Sequence, residues 1–426
     1  MTTRKLGRGV ALVGAGMSRF GAFPGKSTRD LLAEAYRDMI QTVDRGFDPN
    51  AVQALYIGNF SSELFEGQGH TAPIMADWLG LSNRPATRVE NACASGGSAL
   101  REAVLAIASG IYDVVLVGGI EKMTDLPIER VTDALATAGD TLFEIPSGFT
   151  FPAFYATMAA AYLARYEAAK GKSGADALLA VGMKNHANGR LNPKAHIGMS
   201  ICDVMEGKKA AAVKKGKPVP EWNTEMEFLL DERANPMIAW PLRLFDCSPV
   251  SDGAASLLLV SEELASSFSE TPLHIIGTGQ ASDSPLHSRP DITTLRSARL
   301  AANQAYDLAQ VTPADISVAE VHDCFTIAEV IATEDLGFFG PGQGGVAAIE
   351  GVTALRGARP VNTSGGLKSK GHPVGASGVA QAVEMWKQLR GEAGMRQAPG
   401  DIRLGLTHNV GGTGQTTVVH IFERRK

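Results

Sequence analysis

The chain has 426 residues, a formal net charge of −5, and a composition of 44% hydrophobic and 20% charged residues. Its length exceeds one compact core and predicts two or three domains, while the mild acidity excludes nucleic-acid binding through an extended basic surface. Four widely spaced cysteines without a C-x-x-C pair exclude a disulfide framework and a zinc site of that kind; with no long apolar run and no signal-peptide pattern, a cytoplasmic protein that does not enter the membrane is expected.

Residues 10–16 read as an opening strand and a glycine turn. Phe20, Phe23 and Pro24 then stand where a dinucleotide-binding helix would have to begin, so no such fingerprint is present. Ser27 to Asp30 form a capping-box pattern ahead of an amphipathic helix through Leu31, Leu32, Ala35, Met39 and Ile40, and residues 54–58 follow as a strand. Residues 88–100 (RVENACASGGSAL) then predict a strand, a sharp turn of small residues and a helix that runs to Ser109-Gly110. Cys93 lies at that turn. It reads either as a small buried core residue or as a nucleophile whose thiolate is favoured by the helix N-terminus.

The order of elements recurs. A helix through Leu295, Ala298 and Ala305, a strand over 316–321, a helix after Gly378 and a strand over 404–407 echo the first half, which predicts an internal duplication of one α/β unit. Between the halves the pattern turns helical, with helices over 156–170 and 175–187, so the domains are expected at 1–121, 122–245 and 246–426. Within the insertion, Lys208, Lys209, Lys214, Lys215 and Lys217 read as a solvated run or as a contact for a phosphorylated cofactor or an acidic partner.

Three further stretches carry chemistry. His322 and Cys324, in VHDCF, face one cleft only if the strand ends there. Residues 364–378 (SGGLKSKGHPVGASG) surround His372 with five glycines and a proline, a loop expected to let the backbone approach a ligand closely. Residues 407–414 (THNVGGTG) form a second glycine-rich loop whose amides can donate to an oxyanion.

Together N-A-C-A-S-G-G, H-D-C-F, G-H-P-x-G-A-S-G and N-x-G-G resemble the thiolase superfamily, and H-D-C-F resembles its sterol-carrier-protein branch. The resemblance spans essentially the whole chain, including FDCSPVSDGAA from Phe245. It implies an α/β thiolase fold, with two duplicated βαβαβαββ halves in a five-layered αβαβα arrangement and an inserted, mainly helical loop domain. It further implies Cys93 as the acyl-accepting nucleophile, His372 as its activator, and His322 with His372 as the site for an enolate oxygen. The amides of Cys93 and Gly411 would form a second oxyanion hole. Asn409 stands where ordinary thiolases carry the cysteine of C-x-G and cannot serve as that base; in the sterol-carrier branch the cysteine of H-D-C-F takes over, so the resemblance implies Cys324 as the acid/base, with His408 either an assistant or a flanking residue. Ser248, Met158 and Phe325 match positions near the pantetheine and acyl chain. His70 lies in a loop that either reaches the site or does not; the other histidines, Cys202 and Cys247 carry no motif.

The activity implied is CoA-dependent acyl transfer, thiolysis of a 3-oxoacyl-CoA or the reverse Claisen condensation. Coenzyme A is co-substrate, no cofactor is bound permanently, and no metal is needed because the oxyanion holes supply charge stabilisation. A homodimer or dimer of dimers is expected. The alternatives are a ketosynthase-like biosynthetic acyltransferase, or a thiolase-like lyase or condensing subunit with a small OB-fold/zinc-ribbon partner; the presence of Cys93 weighs against the lyase, where the nucleophile is generally missing.

Overall fold

The computed structural model describes residues 5–425. Its first strands are β1 (Val10–Met17), β2 (Ala54–Gly58), β3 (Ala86–Val89) and β4 (Val114–Glu121). A short hairpin, β5 (Met237–Ala239) and β6 (Leu242–Arg243), precedes β7 (Gly253–Ser261), β8 (Leu273–Ser282), β9 (Val318–Glu320), β10 (Leu404–Gly411) and β11 (Thr416–Arg424). Apart from the hairpin these strands follow the order β3-β2-β4-β7-β1-β8-β11-β10-β9. The order is a palindrome in kind. β1 matches β8, β7 matches β11, β4 matches β10 and β2 matches β9, while the parallel bridge from Ala319 to Val361 stands where β3 stands in the first half.

Two half-sheets are therefore joined at one seam, where β1 and β8 share only the pairs Ala11 to His274 and Leu12 to Leu273. Outside the first half-sheet lies the helix Thr28–Ile40, which starts at the expected capping box of Ser27 and Asp30; outside the second lies Arg296–Ala309. Between the half-sheets run Ser95–Ala108 and Ser377–Arg390, which pack on strands of both halves. This gives the five layers. The central layer has a large apolar core, in which Ala99, Leu100, Val104, Val379, Val383 and Trp386 join Leu12, Val117, Leu257 and Phe422 in one buried cluster. At roughly 1.5–3 kcal/mol per large buried side chain, it is the main source of cohesion between the halves.

Strand pairing corrects one boundary. β7, which the expected boundary at 245 assigns to the second half, lies between β4 and β1 of the first sheet; the halves thus part after Ser261 rather than at 245. The insertion is helical as expected, with helices Phe151–Arg165, Asp176–Arg190 and Ile201–Lys214. The basic run is partly docked: Lys208 donates to the Ala234 carbonyl at 2.9 Å and lies over the Phe228 ring. Among the described residues, no helix is long and apolar enough to cross a membrane.

The central helices touch through glycine. A Cβ on Gly96 would stand 2.7 Å from the Gly375 carbonyl oxygen, and one on Gly378 would collide with the Asn409 amide and the Gly97 nitrogen. Gly378→Ala is expected to lower stability by about 1–3 kcal/mol, the usual cost of overpacking, seen as a lower midpoint in chemical denaturation; an unchanged midpoint would show that the helices can part.

Candidate functional site

β3 delivers the chain to a strained elbow. Ala92 adopts a left-handed backbone with φ 50°, unusual for a residue with a Cβ, and the following serines hold it there. Ser95 Oγ accepts from the Asn91 amide at 2.9 Å and donates to the Ala92 carbonyl at 2.6 Å, while Asn91 Nδ2 donates to Ser98 Oγ at 2.9 Å. The serines thus fasten the turn as well as reduce its bulk. Cys93 follows directly, at the N-terminus of Ser95–Ala108.

Cys93 opens on a cavity of about 360 Å³ lined also by Cys324, Phe325, His372, Ser248, Cys247 and Gly412, with Phe151, Ile238 and Leu244 towards its mouth. The reactive atoms of Cys93, His322 and His372 lie within 4.8 Å of one another. The two imidazoles meet edge to face, with centroids 5.1 Å apart. A larger depression of about 630 Å³, around Arg8, Glu262, His274 and Arg425, holds none of these groups.

Cys324 lines the cavity, and His322 comes up beside Cys93 and His372, because β9 ends at Glu320 and the helix Thr326–Asp335 begins just beyond them. Asp323, between the two, points the other way. It accepts from the Leu367 amide at 2.6 Å and from Asn185 Nδ2 at 2.7 Å, tying the H-D-C-F segment to the loop before His372 and to the helical insertion. The glycines around His372 serve this packing: Gly366 leaves room for the Asp323 carboxylate and Gly375 for the backbone of Asn59 and Ile120. That corrects the expectation that they admit a ligand.

His372 is held at both ends. Its amide donates to Ser251 Oγ at 3.2 Å, and its Nδ1 stands 2.7 Å from Ser377 Oγ. The Ser377 hydroxyl spends its proton on the Pro373 carbonyl at 2.9 Å, so Nδ1 must donate and Nε2 keeps a free lone pair. Burial, with Lys370 adding to it, holds this imidazole neutral, its pKa pushed down to about 3. His322 is neutral for the same reason, with His372 and His408 opposing its charge further.

The expectation of a resting thiolate at Cys93 is corrected. Burial pushes its thiol up to about 12, outweighing the Gly412 amide directed at the sulfur, and the Glu121 carboxylate adds to the upward push. Cys324 is likewise raised well above the usual thiol range, first by burial and then by Cys93. The resting site is therefore a set of neutral thiols and neutral imidazoles. It is Gly412, one residue beyond the expected Gly411, whose amide faces Cys93. Gly411 still lies in β10 against the Asn91 carbonyl.

Of the other expected residues, Ser248 and Phe325 line the cavity, and the Ser248 amide donates to the Cys324 carbonyl at 2.9 Å. Met158 does not line it; fully enclosed, it packs with Tyr155, Tyr162 and Ile327 in the core of the insertion. His70 and Cys202 are exposed and do not line the cavity, whereas Cys247 does. His408 lies behind His322, its Nδ1 3.4 Å from the His322 amide.

Sequence reasoning passed over Tyr155 and Glu121. Tyr155 stacks on Phe325 with centroids 4.7 Å apart, donates to the Gly412 carbonyl at 3.0 Å and touches the Cys324 sulfur. In an apolar helix it reads only as core. Glu121 accepts from the Phe60 amide at 2.8 Å, the Ser61 amide at 3.1 Å, Asn59 Nδ2 at 3.0 Å and the Gly375 amide at 3.0 Å, clamping the loop after β2 to the loop of His372. Its place at a strand end reads as an exit to solvent.

Residues 10–263 match the thiolase N-terminal domain family and residues 279–424 the thiolase C-terminal domain-like family. The chain belongs to the thiolase family. It is 42% identical over 418 residues to an acetyl-CoA acetyltransferase of Methanothermobacter thermautotrophicus, covering 98% of this chain and 100% of that one. It is 31% identical to sterol carrier protein 2 of Bos taurus, over 97% of this chain and 72% of that protein. Among solved structures, an Ltp2-ChsH2(DUF35) aldolase superposes at TM-score 0.77 and 25% identity, covering 99% of each chain. This thiolase-type acyltransferase thus combines the family framework with a site neutral at rest.

With the thiol raised, iodoacetamide alkylation of Cys93 in the free protein is expected to be slow at neutral pH and to keep rising beyond about pH 9. Intact-mass kinetics against Cys93→Ser would read this; a plateau near neutrality would indicate a standing thiolate.

Proposed function

We propose that this thiolase-family acyltransferase breaks or forms the carbon–carbon bond of a 3-oxoacyl-CoA through an acyl thioester on Cys93. The observation that carries the reading is the meeting of Cys93, His322 and His372 around one point, with Cys324 on the same cavity wall. In the degradative direction Cys93 attacks the 3-keto carbon as His372 Nε2 takes its proton, a neutral pair becoming charged only as the bond forms. The amides of Cys93 and Gly412 receive the oxyanion. Collapse of the adduct breaks the bond between C2 and C3, and the departing enolate oxygen is held between His322 and the now protonated His372.

Cys324 then gives its proton to the enolate carbon, releasing acetyl-CoA, or propionyl-CoA from a 2-methyl substrate, while the shortened acyl chain stays on Cys93. Its raised pKa suits a donor that must stay protonated until carbon needs it. Incoming coenzyme A returns a proton to Cys324 and attacks the thioester; Cys93 leaves and recovers its proton from His372. The synthetic direction is the reverse. Acetyl-CoA is a natural first substrate to examine, given the name of the archaeal relative, and Ser248 and Phe325 are assigned to the cavity that receives pantetheine and acyl chain.

A homodimer fits this reading, since β3 pairs only with β2 and leaves an open edge beside the elbow. A reducing, cytoplasmic setting suits working free thiols. One observation favours a small partner subunit: the aldolase it resembles is named as a complex with a DUF35 protein, and the β5–β6 hairpin exposes Ile238 and Trp240 near the cavity mouth.

Brief exposure to acetyl-CoA is expected to leave an acetyl adduct on the wild type and none on Cys93→Ala, read by intact-protein mass spectrometry; no adduct with acetyl-CoA or longer 3-oxoacyl-CoAs would overturn the acyltransferase chemistry. Cys324→Ala is expected to slow formation of the adduct and to lose about 10²–10⁴-fold in thiolysis, the usual contribution of a positioned proton donor, because coenzyme A and the enolate exchange protons with the same thiol. Thiolysis at the wild-type rate would remove Cys324 from the proton transfer. Sedimentation of the full chain should give a dimer, and a monomer would contradict the assignment of the β3 edge.

A further inference from the structure

Two neutral imidazoles share the cleft, and the reaction needs them to differ: one must offer a lone pair and the other an N–H. For His372 the difference is set by Ser377. For His322 it is set from the C-terminal loop. Asn409 Oδ1 accepts from the Gly97 amide at 3.1 Å, and its Nδ2 donates to the Cys93 carbonyl at 2.9 Å. A backbone N–H can only donate and a carbonyl can only accept, so these two contacts fix which way the side-chain amide faces. The remaining Nδ2 hydrogen meets His322 Nδ1 at 3.2 Å. Nδ1 must then accept, which places the ring proton on Nε2. That nitrogen is fully buried and has no hydrogen-bond partner among the described residues.

We propose that Asn409 is a positioning residue that locks His322 in the Nε2–H tautomer, keeping one fixed donor aimed into the cleft and denying the cleft to thiophilic cations. The second consequence follows from the first. Cys93 Sγ and the two imidazoles are a donor set suited to Zn²⁺ and gathered closely enough to be drawn around one ion. Coordination through His322 Nε2 requires its proton to move to Nδ1, directly against the Asn409 N–H. An isosteric carboxylate at 409 would accept from Nδ1, move the proton there and expose a lone pair at Nε2. For its catalytic consequence the proposal rests on the acyltransferase reading; the tautomer itself is read without turnover.

Neutron diffraction from perdeuterated wild-type crystals is expected to show deuterium on His322 Nε2 and none on Nδ1. Deuterium on Nδ1 would overturn the proposal whatever reaction the protein catalyses. In Asn409→Asp, formation of the acetyl adduct on Cys93 is expected to persist, because that oxyanion is received by backbone amides. The carbon–carbon step is expected to fall about 10²–10³-fold, as when an oxyanion donor is removed, with KM little changed. Zn²⁺ is expected to inhibit the variant at concentrations about 10–100-fold lower than the wild type, the scale of effects from groups that orient metal ligands. Zn²⁺ binding, followed by calorimetry, reports the same change in the absence of substrate. A variant that loses both half-reactions equally and gains no Zn²⁺ affinity would reduce Asn409 to a packing role.

Discussion

The structure depends on the close approach of two helix N-termini. Ser95–Ala108 and Ser377–Arg390, one from each half, cross at Gly96, Gly97 and Gly378, where any Cβ would collide with the opposite backbone or with Asn409. Each half brings one reactive group to that crossing. Cys93 lies just before the first helix and His372 just before the second, so the duplication that builds the central layer also builds the cleft. The Asn409 amide fills the gap between the helices, and this is why a residue from the final hairpin touches both the nucleophile's backbone and the His322 ring.

Burial then decides the chemistry of the resting state. A helix N-terminus favours an anion by about 0.3–1 kcal/mol at an exposed site. Enclosing a thiolate costs more unless a cation accompanies it, and every imidazole nearby is held neutral by the same enclosure. Fixed donors and acceptors rather than fixed charges organise the site: the amides of Cys93 and Gly412, the lone pair of His372, the N–H of His322.

Much of this was legible in the sequence because duplication and small-residue motifs leave local marks. The capping box at Ser27, the elbow around Cys93 and the break after β9 all follow from short-range pattern. What was not legible depends on the partner across the fold. The glycines at 365–378 look like room for a ligand until Asp323 and Asn59 are found occupying it. Met158 shares a helix face with Tyr155, but it lies one turn further along, enclosed within the insertion's core. Gly412 replaces Gly411 because β10 extends through 411, so the first amide free to turn inward is the next one. The thiolate expectation counted the helix and could not count the enclosure, and β7 has the composition of a buried strand without any mark of which half receives it.

The placement of β7 has a consequence for how the chain is made. β1 joins the rest of the first half-sheet only through β7, which pairs with β1 on one side and β4 on the other. β1 therefore waits for residue 261 before its half can close, and the whole helical insertion is synthesised in that interval. Such non-local pairing is slow to form, and it exposes β1 and β4 as open edges while synthesis proceeds. Their interior positions are lined by Leu12, Val13, Val115 and Val117. A chaperone that shields apolar strands from nascent chains would act here between the emergence of β4 and that of β7, a window set by topology rather than by overall stability.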